Sequence, residues 1–256
     1  MDLGLTGKRV VVTGASRGIG LAIVRAFAAE GATVLAGARR VTPELEKLDG
    51  VTAVAVDLAD PAGPARLVAA AGDRIDVLVN NVGIAPPRPQ GFLEVTDDMW
   101  ATTWNLNVMS AVRATRAALP VMLAGGGGAI VNTGSVNARL ADPLVVDYSA
   151  AKAALTNFAK SLSKEFGPRG IRVNTVAPGP VATDLWLGSG GVAETVGAAQ
   201  GIDPSDVEAG AKAAMVTGRF TRPEEVADLV VMLAGGNLGN VTGTEITIDG
   251  GMITTL

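Results

Sequence analysis

The sequence predicts a doubly wound α/β fold, a parallel sheet of about seven strands with helices on both faces. Short, apolar, β-branched runs alternate with longer helix-favouring stretches along the 256 residues. This alternation is typical of parallel sheets whose crossover helices cover both faces. A glycine-rich turn also lies between the first apolar run and the first helical stretch. The length fits a single domain over residues 1–256.

The predicted elements follow in chain order. The run Val10-Val11-Val12 is typical of a buried strand, and the alanine-rich stretch after Gly20 favours a helix. Only residues 42–50 separate the second and third strands, so their crossover helix should be short. The predicted strands are 9–13, 33–36, 51–56, 77–79, 129–132, 172–175 and 245–248. The predicted helices are 18–30, 62–71, 97–123, 146–166 and 223–234.

Composition argues against several functional classes. Hydrophobic residues make up 48% of the chain, and the net charge of −4 comes without the basic stripe expected of a nucleic-acid binder. Histidine and cysteine are absent, so no metal centre is predicted, although a cation held by carboxylates stays open. No signal peptide is evident, and Pro120 and the glycines at 125–128 interrupt the uncharged stretch 117–138. We therefore expect a soluble, cytoplasmic protein that does not enter membranes.

A tyrosine and a lysine suggest acid/base chemistry. Tyr148 and Lys152 are four residues apart in a predicted helix, so their side chains share one face. A neighbouring ammonium should lower the tyrosine pKa from its ordinary value of about 10. A chain without histidine or cysteine has few other ways to build a proton-transfer centre. Taken alone, the pair also fits an ordinary amphipathic helix.

The glycine turn predicts a dinucleotide site. The segment Thr13-Gly14-Ala15-Ser16-Arg17-Gly18-Ile19-Gly20 lies between a strand and a helix. In this context glycines let a pyrophosphate approach backbone N–H groups at the helix N-terminus, as in a Rossmann fold. The spacing is G-x3-G-x-G and not the commoner G-x-G-x-x-G. A turn that only needs positive φ is the alternative.

A second motif follows the fourth predicted strand. Asn80-Asn81-Val82-Gly83 comes directly after the apolar run at 77–79. Ligands bind at the carboxyl ends of strands in open α/β sheets, so these residues predict part of the same site. In isolation they would also fit a plain turn.

The motifs together closely resemble the short-chain dehydrogenase/reductase family, in particular its 3-oxoacyl-acyl-carrier-protein reductase type. Their order matches as well, with Ser135 before the Tyr-x3-Lys pair and Pro178-Gly179 after it. The resemblance extends from about residue 7 to residue 252. Val82 departs from the alanine that the family most often has, which is a small apolar change. The resemblance implies an oxidoreductase with a nicotinamide cofactor.

Four catalytic roles are implied. Ser135 would donate a hydrogen bond to the substrate carbonyl oxygen, and Tyr148 would supply the proton as charge develops there. Lys152 would lower the tyrosine pKa and bond the nicotinamide ribose. The resemblance places Asn107 at a helix kink, where it holds a water that links the lysine to solvent. By pattern alone, Asn105 is a rival for that role.

The cofactor is predicted to be NADP(H). Arg39 and Arg40 end the second strand, and no Asp or Glu occurs from residue 31 to residue 43. Guanidinium groups pair with a 2′-phosphate, whereas a carboxylate would select NAD; the alternative is that both arginines are merely solvated. The resemblance adds contacts from Asp57 to the adenine and from the segment after Pro178 to the carboxamide. The expected cofactor-contact residues are Gly14, Ser16, Arg17, Gly18, Ile19, Gly20, Arg39, Arg40, Asp57, Leu58, Asn81, Val82, Gly83, Tyr148, Lys152, Pro178, Gly179, Val181 and Thr183.

A long segment breaks the strand–helix alternation. Residues 184–221 contain several glycines and scattered apolar side chains. Connections of this length in compact domains are usually functional or mobile. We interpret the segment as a substrate lid with short helices. The alternative is that the segment extends from the domain to form contacts in a dimer.

These inferences predict an NADPH-dependent reductase of a small carbonyl substrate, which would be acyl-thioester-linked if the resemblance extends that far. The alternatives are an NAD-dependent dehydrogenase of secondary alcohols and a non-catalytic NADP(H)-sensing module. The retained Ser135, Tyr148 and Lys152 argue against a sensor. The resemblance also implies a homotetramer or homodimer.

Overall fold

The computed structural model of the chain describes residues 2–255. Its seven strands are β1 (Arg9–Thr13), β2 (Thr33–Ala38), β3 (Val51–Ala55), β4 (Val77–Asn80), β5 (Gly128–Thr133), β6 (Ile171–Pro178) and β7 (Glu245–Ile248). They form one sheet in the order β3-β2-β1-β4-β5-β6-β7, and every neighbouring pair is parallel. The predicted doubly wound α/β class is confirmed.

Ten α-helices connect and cover these strands in the described part of the chain. They are α1 (Gly18–Ala29), α2 (Pro43–Glu46), α3 (Gly63–Ala69), α4 (Asp97–Trp104), α5 (Ser110–Ala124), α6 (Val146–Phe166), α7 (Asp184–Leu187), α8 (Val192–Gln200), α9 (Pro204–Ala213) and α10 (Pro223–Ala234). Helices α6 and α10 have the predicted bounds, and α2 is as short as expected. No helix within residues 2–255 combines the length and apolar character needed to cross a membrane.

The sheet separates two hydrophobic cores. In β1, Val10 and Val12 pack into one core with Phe27 of α1, whereas Val11 faces the other core with Met122 of α5. Successive side chains of a strand point to opposite faces, so one run of valines supplies both cores. Helices therefore cover both faces of β1, and its carboxyl end lies in the middle of the sheet.

The predicted helix 97–123 is interrupted. A π-helical turn, Asn105–Met109, lies between α4 and α5. Within it, the Asn107 side-chain amide donates to the Thr103 carbonyl oxygen at 2.9 Å and to the Ile84 carbonyl oxygen at 2.9 Å. An asparagine side chain that competes for backbone carbonyls disturbs a regular helix. The turn brings Asn107 against the segment that follows β4.

The long segment after β6 carries the short helices α7, α8 and α9, as expected for the predicted lid. Its two ends meet at a parallel bridge between Val181 and Thr221. The Ala182 amide donates to the Thr221 carbonyl at 2.9 Å, and the Thr221 amide donates to the Pro180 carbonyl at 3.1 Å. The segment is therefore fixed at its base, beside the carboxyl end of β6.

Candidate active site

Asn81 holds the glycine turn in place. Its side-chain amide donates to the carbonyl oxygens of Thr13 and Gly14, both at 3.1 Å, and its Oδ1 accepts a bond from the Thr133 hydroxyl at 3.2 Å. The turn is also tightly closed, because a Cβ on Gly20 would lie 2.0 Å from the Gly14 carbonyl oxygen. These contacts join the ends of β1, β4 and β5 at the predicted dinucleotide turn.

Thr13 also organises the turn, although the sequence analysis assigned it no role. Its hydroxyl accepts bonds from the backbone amides of Asn81 at 2.9 Å and Val82 at 3.2 Å, and donates to the Val79 carbonyl at 3.2 Å. Gly14 has a φ of +69°, and a Cβ there would lie 2.8 Å from the Val82 Cα. The sequence signals for Thr13 are its position at the end of an apolar strand and at the start of the glycine turn.

The start of α1 fits an anionic group. Arg17 is its N-cap residue and provides no side-chain cap, so the first-turn amides remain available to an anion. The Arg17 guanidinium is exposed and lies 4.0 Å from the carboxylate of Asp184 in α7. Gly18 has a φ of +53°, and a Cβ there would lie 3.2 Å from the Thr183 methyl group. The turn and the start of α7 therefore lie side by side.

The remaining cofactor-contact candidates lie at the carboxyl ends of β2 and β3. Arg39 and Arg40 are exposed directly after β2. The Val56 amide donates to the Ala38 carbonyl at 2.9 Å, so the chain after β3 continues alongside them. There Asp57 is exposed and Leu58, another predicted cofactor contact, is buried. Two exposed guanidinium groups at this edge suit a phosphate.

Three of the four catalytic candidates, Ser135, Tyr148 and Lys152, line one cavity of about 420 Å³, and Asn107 lies outside its lining. Ser135 lies two residues beyond the end of β5. Its hydroxyl donates to the Asn137 Oδ1 at 3.1 Å. The Lys152 Nζ donates to the Thr133 carbonyl oxygen at 2.8 Å and lies 5.5 Å from the centre of the Tyr148 ring. The structure thus brings together three side chains that the sequence places on two separate elements.

The predicted lowering of the tyrosine pKa is wrong for this state of the site. Burial raises the pKa of Tyr148, and the neighbouring Ser135 hydroxyl only partly opposes this. Burial also lowers the pKa of Lys152 to about 8. The lysine ammonium is bonded to a backbone carbonyl, and desolvation is the largest influence on the pKa of both groups.

Asn107, and not Asn105, lies beside the space next to Lys152. The Asn105 side chain bonds the Ala59 carbonyl and the Arg113 guanidinium instead. Asn107 is buried, and its Oδ1 has no hydrogen-bond partner in the described structure. A Cβ built on Gly83 would lie 2.6 Å from this oxygen and 3.5 Å from the Lys152 Nζ. The oxygen and the ammonium therefore border the same small space, which suits a bound water.

The segment after β6 forms another wall of this cavity, lined by Pro178, Gly179, Val181 and Thr183. The Gly179 amide donates to the Ile248 carbonyl at 2.9 Å, which anchors the segment to β7. The Thr183 amide donates to the Val181 carbonyl at 2.8 Å. Val181 and Thr183, the predicted partners of the nicotinamide carboxamide, therefore line the cavity.

Comparisons with known proteins agree with this geometry. A family model described as enoyl-(acyl carrier protein) reductase matches residues 14–253. Oxidoreductase UcpA of Escherichia coli K12 is 36% identical, over 96% of this chain and 95% of its own. The chain belongs to the short-chain dehydrogenase/reductase family. The 3-oxoacyl-[acyl-carrier-protein] reductase FabG of Vibrio harveyi is 33% identical, over 98% of this chain and 99% of its own.

A solved relative shares the whole fold of this short-chain dehydrogenase/reductase. The structure of L-sorbose reductase from Gluconobacter frateurii, complexed with NADPH and L-sorbose, superposes with a TM-score of 0.90. The two chains are 36% identical, and the match covers 100% of each. The relatives are oxidoreductases by name, and the chain is a member of an oxidoreductase family.

One buried network at this site was missed by the sequence analysis. Arg88, in the loop after β4, contacts the Asp147 carboxylate at 2.6 Å, and the Thr103 hydroxyl donates to the same carboxylate at 2.6 Å. Asp147 directly precedes Tyr148, and the Thr103 carbonyl accepts the bond from Asn107 described above. The carboxylate is completely buried. Its only sequence signal is its position beside the tyrosine.

Proposed function

We propose that this protein transfers a hydride between NADP(H) and a ketone or secondary alcohol, and that it reduces the ketone when NADPH is supplied. The observation that carries the proposal is the meeting of Ser135, Tyr148 and Lys152 in one cavity beside the glycine turn. In this arrangement a hydrogen-bond donor, a proton donor and a buried cation all face the place where a carbonyl oxygen would gain negative charge.

The residues present fit NADP(H). The turn around Gly14 and the uncapped start of α1 would hold the pyrophosphate. Arg39 and Arg40 would pair with the 2′-phosphate, and Asp57 would contact the adenine. The L-sorbose reductase that shares this fold was solved with NADPH, which supports the same choice here. When bound, the cofactor supplies the hydride.

The protein's side chains would donate the proton that the carbonyl oxygen receives. Because burial raises its pKa, Tyr148 is protonated at neutral pH and is a proton donor. Its Oη gives that proton to the carbonyl oxygen while the carbonyl carbon receives the hydride, so a secondary alcohol is formed. The Ser135 hydroxyl orients the same oxygen. Lys152 stabilises the resulting tyrosinate, and a water held by Asn107 would return the proton from solvent.

Two other functions remain distinct alternatives. An NAD-dependent alcohol dehydrogenase would not need the free guanidinium groups of Arg39 and Arg40. An NADP(H) sensor would not need Ser135, Tyr148 or Lys152. The similarity to FabG keeps a β-ketoacyl thioester among the substrates to be tested.

Removing the tyrosine hydroxyl tests the mechanism. Tyr148→Phe should lower kcat/KM for ketone reduction by about 10²- to 10⁴-fold, which is the usual contribution of a general acid. The Kd for NADPH should stay within about twofold of wild type, because the variant loses only one hydroxyl group from the cofactor site. The decay of reduced-nicotinamide absorbance measures the first quantity, and fluorescence titration measures the second.

Ser161→Ala is the matched control, since it removes an exposed hydroxyl from the same helix and should change neither quantity. If Tyr148→Phe kept wild-type turnover, Tyr148 would not be the proton donor. If wild type bound NADPH tightly but reduced no carbonyl compound, the sensor alternative would gain support.

A further inference from the structure

The cavity extends beyond the reacting groups into a region that we call the outer cavity. Its walls come from the segment after β4, the loop between β5 and α6, the lid and the tail after β7. The apolar side chains that define it are those of Ile84, Leu144, Val145, Leu185, Trp186 and Met252. A substrate whose carbonyl lies against Tyr148 would place the rest of its body here.

Two polar side chains of the outer cavity, Asn137 and Asp142, already have hydrogen-bond partners within the protein. Asn137 accepts a bond from the Ser135 hydroxyl at 3.1 Å and donates to a backbone carbonyl three residues further on. Asp142 accepts a bond from the backbone amide two residues further on at 2.9 Å. Among the described residues that line the cavity, Lys152 is the only cation, and its ammonium is bonded to a backbone carbonyl.

Trp186 gives this region a fixed aromatic wall. Its ring lies 5.2 Å from that of Phe220, tilted by 60°, which is a favourable aromatic geometry. Phe220 is buried at the other end of the lid, beside the bridge that joins Thr221 to Val181. The indole therefore packs against Phe220 at the base of the lid and also lines the cavity.

From this distribution of groups, we propose that the substrate is a neutral ketone with an apolar ring or branched alkyl body, and not a sugar or polyol. A hydroxyl group buried in the outer cavity would lose its bonds to water and find few protein partners in return. A phosphate or carboxylate would meet no free cation there. An apolar body would bury its surface against the aliphatic walls and Trp186. The inference rests on the proposed function and adds the class of substrate.

The distinction matters because the solved relative described above was crystallised with L-sorbose, a polyhydroxylated sugar. The shared fold supports a shared cofactor chemistry, but a fold alone does not determine the side chains that would recognise a row of hydroxyls. Substrate choice depends on the lining of the outer cavity, which each family member builds from its own loops.

The test measures kcat/KM with saturating NADPH for three kinds of ketone. The apolar probes are 2-tetralone and 4-phenyl-2-butanone, the polyhydroxylated probes are L-sorbose and L-xylulose, and the thioester probe is acetoacetyl-CoA. We expect kcat/KM for the apolar ketones to exceed that for the sugars by about 100-fold or more, because an apolar pocket rejects even one added hydroxyl by about 10²-fold and a sugar carries several.

Two variants of α7 show whether the outer cavity causes the preference. Trp186→Ala removes the aromatic wall and should raise KM for 2-tetralone by about tenfold while the Kd for NADPH is unchanged. Leu187→Ala is the matched control, since its side chain lies on the same short helix but is exposed and does not line the cavity. It should leave KM unchanged.

Each other outcome has a defined meaning. Higher kcat/KM for the sugars or for the thioester would overturn the inference and leave the proposed function standing. An equal effect of the two variants would mean that Trp186 acts through the stability of α7 and would overturn its role as a substrate wall. Turnover of no probe, by a protein that binds NADPH, would overturn the proposed function and this inference with it.

Discussion

Gly83 lies where any larger residue would collide with Asn107. A Cβ there would lie 2.6 Å from the Asn107 Oδ1, and real Cβ atoms do not approach that closely. Asn107 cannot easily retreat, because its amide is bonded to the carbonyls of Thr103 and Ile84. The glycine therefore keeps open the space that separates Asn107 from the Lys152 ammonium.

We accordingly expect Gly83→Ala to reduce kcat by about 100-fold, since a displacement of about 1 Å in a catalytic group costs roughly that much. Steady-state kinetics measures the change, and thermal unfolding checks that the variant remains folded. Gly210→Ala is the control. Gly210 lies in α9, and a Cβ there would meet no atom within 4 Å. The substitution should therefore stabilise the helix by about 0.5–1 kcal/mol and leave kcat unaffected. Unchanged kcat in Gly83→Ala would show that the space is not needed.

Among the elements, the network of Arg88, Thr103 and Asp147 joins three parts of the chain. It ties the loop after β4 and helix α4 to the start of α6, one residue before Tyr148. Burial alone would raise the pKa of Asp147. The bonds from Arg88 and Thr103 and the charge of the guanidinium outweigh that effect, so the pKa lies below its ordinary value. A single carboxylate thus fixes the relative positions of two catalytic segments.

Asp147→Asn should lower the free energy of unfolding at pH 7 by about 3–5 kcal/mol, because it leaves the Arg88 charge largely buried without a counter-ion. The difference in free energy of unfolding between wild type and Asp147→Asn should become smaller as the pH falls. A carboxylate with a lowered folded-state pKa contributes stability above its ordinary pKa, about 3.9, and loses it as the pH falls toward the folded-state value. Denaturant titrations of both proteins at pH 7 and below pH 4 measure the two differences.

Asp228→Asn is the control for this prediction, since Asp228 is exposed on α10 and its change should stay within about 0.5 kcal/mol. A difference between wild type and Asp147→Asn that is the same at both pH values would show that the charge of Asp147 does not stabilise the network.

At the scale of the whole molecule, the proposed cofactor site crosses several elements. Arg39 and Arg40 follow β2, the glycine turn follows β1, and Thr183 lies in the segment after β6. A ligand that contacts all of them stabilises the folded state by mass action, by about 2.7 kcal/mol at a hundredfold excess over Kd. The unfolding temperature therefore reports cofactor choice without any substrate.

NADPH should raise the unfolding temperature more than NADH at the same concentration, because only NADPH carries the 2′-phosphate. The double variant Arg39→Ala, Arg40→Ala should abolish that difference while the response to NADH persists. Arg116→Ala, which removes an exposed guanidinium from α5, should preserve the difference. Equal stabilisation of wild type by the two cofactors would contradict the assignment of NADP(H).

The features predicted correctly from the sequence are those encoded locally. The valines of β1 and the 21 residues of α6 carry their own periodicity, and the glycine turn is recognisable from the strand and helix on either side. Tyr148 and Lys152 share a helix, so their proximity follows from their spacing. Even the interruption near Asn107 has a local cause, a helix-disfavouring asparagine, although the sequence analysis ran one helix through it.

The features that were missed depend on contacts between distant segments. Arg88 and Asp147 are 59 positions apart, and nothing in either neighbourhood indicates the pairing. The direction of the Tyr148 pKa shift was also mispredicted, because it depends on how deeply the folded chain buries the phenol. Spacing shows which side chains are near each other, whereas desolvation depends on every element packed around them.

The position of Asn81 has a consequence for assembly of the fold. Its side chain bonds the end of β1 and the end of β5 while its backbone continues β4. The glycine turn therefore acquires its final shape only when three strands that are distant in sequence have docked. A chain that has paired β1 with β2 but not yet added β5 has the residues of a nucleotide site without its geometry. The cofactor should therefore bind tightly only after these strands have docked, so that tight binding indicates a complete centre of the sheet.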